Sequence, residues 1–127
     1  MAEGQYMTET LAFNVASTVQ HKLSISIDWN LLGQFLIDLL EVAVTCAPFL
    51  MLSGETPKQY IDDHFTDDGE PDQMLVDRYR TRAFHLNRKG KIGFSDDDLT
   101  VLSVGTLNGI HNSDDAMLNK IVEENTP

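Results

Sequence analysis

Between Leu31 and Leu52 the chain reads LLGQFLIDLLEVAVTCAPFLML, where Gln34, Asp38 and Glu41 are the strongly polar residues and Thr45 is a milder fourth. These residues fall at i, i+4, i+7 and i+11, so on an α-helix they draw one narrow polar stripe and leave most of the circumference apolar. An ordinary surface helix shows the reverse, an apolar band of roughly 100° on a polar cylinder. Such a helix has to be covered from several sides, either as the central helix of a small helical domain or as the seam of an oligomer. The segment is 22 residues long, close to the roughly 20 that cross a bilayer. Two carboxylates near its middle would each cost about 2–3 kcal/mol in lipid, and basic residues flank neither end, so no membrane span is expected.

The chain has 127 residues, which suits one domain with its own core. The expectation is a single helical domain over residues 1–127, frayed at 1–7 and 124–127. Cys46 is the sole cysteine and sits in the apolar segment. It reads as a small buried hydrophobe in a reducing compartment. MAEGQYMTET lacks the basic and apolar regions of a secretory signal, so a cytoplasmic protein is expected.

The net charge of −11 is unevenly distributed. Arg78, Arg80, Arg82, Arg88, Lys89 and Lys91, six of the nine basic residues, fall within 14 positions that contain no acid, which leaves −17 on the rest of the chain. A surface this negative repels nucleic acid and anionic membranes. Within the strip, Arg78 and Arg82 lie one helical turn apart and can act together. Two readings compete: these cations grip an acidic partner, or they satisfy the flanking acidic runs Asp62–Asp77 and Asp96–Asp98 internally. The second is preferred, because acids so near would repel phosphate.

Elsewhere the pattern is helical. Leu11, Val15, Val19 and Leu23 recur every fourth residue, predicting a helix over 8–23 with Thr8 as its cap. LSISID alternates like a strand, but no second strand is available to pair with it, so it is an extended connector. Asp28 caps the apolar helix, which is expected to run from Trp29 to Met51 and stop at Gly54. Thr56, Pro57 and Gln59 open a short helix to about His64. FTDDGE is a loop, and Pro71 is expected to open a helix to about Asn87 with Leu75, Tyr79, Ala83 and Leu86 inward. Ser95 and Asp98 form a capping box for a helix burying Leu99, Leu102, Leu107 and Ile110. Ser113 is expected to cap a last helix burying Met117, Leu118, Ile121 and Val122. Gly105 and Gly109, a GxxxG pair in a helix, mark a bend or tight packing spot. The fold class is therefore all-α, an irregular bundle of five or six helices around the long apolar one.

No local motif assigns chemistry. The tract Ile61–Asp72 gathers Asp62, Asp63, His64, Asp67, Asp68, Glu70 and Asp72, and carboxylates with an imidazole suit divalent cations. Its spacing matches no EF-hand, HExxH or Glu-x-x-His pattern, and a solvated acidic loop is the simpler reading. There is no GxSxG elbow to support a hydrolytic triad. No cofactor is expected and catalysis is not favoured. The leading expectation is a small acidic regulator or inhibitor acting by protein contact, and a homodimer. In its sharper form it occupies the cationic groove of a basic nucleic-acid enzyme or toxin, as immunity proteins and DNA-mimicking inhibitors do. Candidate contact residues are Asp62, Asp63, Asp67, Asp68, Arg78 and Arg82. The alternative is a helical metal-binding domain or enzyme built on the Asp62–Asp72 tract with His64.

Overall fold

Side-chain oxygens decide where most of these helices begin, because each helix start leaves backbone amides without carbonyl partners. In the computed structural model, which describes residues 6–46 and 56–125, six α-helices follow one another. They are α1 (Tyr6–Val19, continued by a 3₁₀ turn, Gln20–Lys22), α2 (Trp29–Cys46), α3 (Pro57–Asp62), α4 (Gln73–Gly90), α5 (Asp96–Asn112) and α6 (Asp115–Glu124). No strand occurs among the described residues, and the one isolated bridge there pairs Phe65 with Pro71. The protein is all-α, and the expected helix count holds.

Three caps stand where the sequence placed them. The Asp28 carboxylate accepts from the Asn30 and Leu31 amides at the start of α2, at 2.9 and 3.1 Å. Thr56 with Gln59, and Ser95 with Asp98, form reciprocal capping boxes on α3 and α5. Three others differ. Thr8 lies inside α1, fully buried, and does not begin it. Pro71 sits in the bridge to Phe65, and Asp72 caps α4 instead, accepting from the Leu75 amide at 2.8 Å. Ser113 closes α5, donating its hydroxyl to the Gly109 carbonyl at 2.6 Å, while Asp114 caps α6 through the Met117 amide at 2.7 Å. For α4 and α6 an adjacent aspartate had equally suitable chemistry, whereas the Met7 and Thr8 amides of α1 are taken by Glu124 of α6.

One cluster of buried side chains draws on every helix, with Ile61 contributed by α3 and Leu118 and Ile121 by α6. On α2 the residues Leu32, Phe35, Leu36, Ile37, Leu39, Leu40 and Ala43 are buried, and the helix packs on α1, α4, α5 and α6. Leu31, by contrast, is exposed. The side chain of Cys46, Pro48, the apolar run to Leu52 and the stop expected at Gly54 lie outside the described residues. Glu41, on the polar stripe, has its carboxyl raised above the ordinary range by burial and by the neighbouring Asp38 carboxylate. No helix among the described residues is long and apolar enough to cross a membrane.

The GxxxG pair is a tight packing spot. A Cβ on Gly105 would meet Val19 Cγ1 at 2.5 Å, and one on Gly109 would meet Val15 Cγ2 at 2.7 Å. Missing side chains on α5 thus let α1 seat its valines against the helix backbone. Beside this seam opens a groove of about 720 Å³ edged by Asn14 and Thr18 of α1, Lys22 of the 3₁₀ turn, and Val104, Asn108 and Asn112 of α5.

Two polar ties fix elements that are far apart in sequence. Asp98 is 1% exposed, and its carboxylate accepts from the Ser24 amide at 2.8 Å, the Ser24 hydroxyl at 2.7 Å and the Ser95 amide at 3.1 Å. Burial pushes this carboxyl upward, but the bonds from Ser24 and Ser95 together outweigh it and hold it below its ordinary 3.8. Glu124 of α6 accepts from the Met7 and Thr8 amides and from the Thr8 hydroxyl, at 3.1, 3.0 and 3.0 Å.

Candidate functional site

The acidic tract and the helix that follows it carry the residues singled out for contact. The tract divides into a base that holds it and a tip that faces solvent. At the base, Asp62 is committed internally: Oδ2 receives Lys58 Nζ at 2.7 Å, and Oδ1 lies 2.7 Å from His111 Nδ1. Lys58 also donates to the His111 carbonyl at 3.0 Å, and the His111 ring stacks on Phe65 at 3.9 Å between centroids and 9° between planes. Asp62 thereby ties α3 to the end of α5, which removes it as a free contact residue.

On the other side of the loop, His64 Nδ1 lies 2.7 Å from Asp72 Oδ2, and the His64 ring meets Tyr60 edge-on at 4.9 Å. Asp72 is also the α4 cap. Burial works to raise its carboxyl, but the Leu75 amide and the His64 ring outweigh that and bring it below its ordinary 3.8. Between these anchors the backbone closes on itself. The Thr66 amide donates to the Glu70 carbonyl at 2.7 Å, Gly69 to Thr66 at 2.9 Å, and Asp72 to His64 at 2.6 Å. Gly69 has φ +80, a left-handed value that glycine adopts without a Cβ clash.

Asp63, Asp67, Asp68 and Glu70 stand exposed on this braced loop. The ion pairs among the described residues are Lys58–Asp62, His64–Asp72 and His111–Asp62, so none reaches those four carboxylates. Nor do the described residues bring three His, Cys, Asp or Glu side chains together as a metal would require. His64 and Asp62 are drawn to different partners, so the tract offers two separate pairs where a metal needs one cluster.

On α4 the inward face is Leu75, Val76, Tyr79 and Ala83, and the Tyr79 hydroxyl donates to the Ala43 carbonyl of α2 at 3.2 Å. Leu86 is half-buried. Arg78, Arg82, His85, Arg88 and Lys89 are exposed, together with Met74 at 44% and Phe84 at 42%. The expected internal neutralisation of this strip is not seen: no ion pair among the described residues involves its six cations. Arg80 approaches only the Thr100 hydroxyl, at 3.5 Å, and the Arg88 guanidinium lies 5.8 Å from the Phe84 ring centroid. The reason is geometric. The acids at Asp62 and Asp72 turn toward the fold, Asp77 accepts from the Gln73 side chain at 2.8 Å, and the other carboxylates of the tract precede the helix that carries the cations.

The far end of α4 is closed by Asn87, whose side chain donates to the Phe94 carbonyl at 3.1 Å and accepts from the Phe94 amide at 3.0 Å. Lys91, with φ 52, is the left-handed cap. The sequence signalled the glycine turn here but not the asparagine clamp, which requires the two helices to be in register. Fold and site together define an all-α domain presenting a strip of exposed charge, acidic at one end and cationic at the other. Comparison with protein-family models, with curated proteins and with solved structures gives no match.

Proposed function

We propose that this protein is a small acidic regulator or inhibitor that acts by binding another protein, with the loop of Asp63, Asp67, Asp68 and Glu70 as its principal contact. The observation carrying this reading is that four exposed carboxylates, none in an ion pair among the described residues, stand on a loop braced at both ends by Asp62 and Asp72. A braced loop loses little conformational entropy when it binds, so its charge is available as affinity. Unneutralised carboxylates in one small area suit a cationic surface, such as the groove of a nucleic-acid enzyme or a basic toxin. Charge of this kind mainly accelerates encounter and weakens as salt is added.

The test is affinity capture from nuclease-treated lysate of the source cell, with wild-type protein and a variant carrying Asp63→Asn, Asp67→Asn, Asp68→Asn and Glu70→Gln. A single stoichiometric basic protein is expected on the wild type and absent from the variant. The same protein retained equally by both, or an association rate unchanged between low and physiological salt, would defeat the assignment.

A further inference from the structure

We infer that the charged strip is self-complementary and that a second copy of this chain docks on it about a two-fold axis near Met74. The inference rests on the loop being a contact surface, as proposed above, and adds a partner for it. Residues 62–77 hold seven acids and no lysine or arginine, and residues 78–91 hold six lysines and arginines and no acid. Both blocks are well exposed, and the exposed members of both lack ion pairs among the described residues.

Asp77, on α4 itself, accepts from the Gln73 side-chain amide at 2.8 Å, and the carboxylates of the loop cannot reach the farther cations within one chain. The loop ends at Asp72, the cap of the same helix that carries the cations. At 1.5 Å per residue, Arg82 is about 15 Å and Arg88 about 24 Å along the axis from that cap. Folding the loop back over them would break the bonds that brace it.

A second copy related by a two-fold axis across the strip solves this in one operation. Reversing the direction lays each acidic loop over the cationic turns of the partner's α4, twice per dimer, and closes the assembly at two chains. Between the loop and the first cation, on the opening turn of α4, stands Met74, one of four large hydrophobic side chains that are exposed among the described residues. On the axis it meets its own equivalent, and its flexible thioether suits such a self-contact. The outward row of α4 continues from Met74 through Arg78, Thr81, His85 and Arg88, all exposed. The small Thr81 side chain lets a loop approach the helix between the arginines. Because this dimer covers the acidic loop, a second copy and a basic partner protein compete for the same carboxylates.

Sedimentation equilibrium of the purified full chain tests this at low and high salt. The wild type is expected to dimerise at low salt, and about ten-fold or more weakly once screening shortens the reach of the charges. A loop-reversed variant (Asp67→Lys, Asp68→Lys, Glu70→Lys) and a helix-reversed variant (Arg78→Glu, Arg82→Glu, Arg88→Glu) should each be monomeric. Mixed in equal amounts they should form a heterodimer, since each then offers the sign that the other needs. Circular dichroism checks that both are helical, and neutral variants (Asn and Gln at the same positions), which should show weakened dimerisation, replace any that is not. A monomeric wild type at low salt, reversed variants that dimerise alone, a mixture that does not associate, or a mass that climbs past the dimer would overturn the inference. Because these measurements use purified protein only, their failure leaves the capture of a basic partner standing, and the reverse also holds.

Discussion

The seam between α1 and α5 and the strip from the acidic loop along α4 are opposite ways of using a helix surface. At the seam, side chains are removed so that backbones can approach, and Val15 and Val19 fill the space over Gly109 and Gly105. Along the strip, long charged side chains stand in solvent and touch little of their own chain. The first surface is apolar and tightly packed at its two glycines, whereas the second carries charge that the fold leaves unanswered. The contrast separates residues that specify the structure from residues available to something outside it.

The sharpest way to break the comparison is to fill the seam. Gly105→Leu should destabilise the protein by about 2–3 kcal/mol, because the clash with Val19 exceeds the roughly 1 kcal/mol that losing a helical glycine returns. Urea denaturation would read this, and an unchanged midpoint would mean that α1 can move aside. Asp98→Ala should cost about 2 kcal/mol by removing a buried carboxylate that accepts from Ser24 and Ser95 and forms half of the α5 capping box.

Acid should expose the same carboxylate. Asp98 and Asp72 are both held below their ordinary 3.8. Their contribution is therefore full above that value and lost as pH falls through the lower, folded one. Melting temperature should accordingly drop as pH falls below 3.8, and Asp98→Asn should flatten part of that slope. Asp72→Ala, which removes the α4 cap, should cost about 1 kcal/mol. The strip should be the most tolerant: Arg82→Glu should change stability by less than about 0.5 kcal/mol while altering association. A larger loss would show that the arginine supports the fold after all.

Local features were readable from sequence. The Ser95 and Thr56 capping boxes, the Asp28 cap, the inward rows of α4 and α5 and the extended connector after α1 all depend on residues within a few positions of one another. What escaped depends on distance. Asp98 was legible as half of a capping box, but its grip on Ser24 crosses 74 residues. Asp62 was read as a contact residue because nothing in the sequence places His111, 49 positions away, beside it. The glycine pair announced close packing without naming α1 as the element that packs there. The cations of α4 were expected to be neutralised by acids near in sequence, but Asp62, Asp72, Asp77 and Asp98 take other partners.

Glu124 caps α1 across more than a hundred residues, where a cap is ordinarily a close neighbour. During synthesis on the ribosome the leading amides of the first helix stay hydrated until the last one has emerged. The opening turn of α1 is therefore among the latest parts of the fold to settle, although its residues are made early. Any event that frees α6 returns that turn to its nascent state.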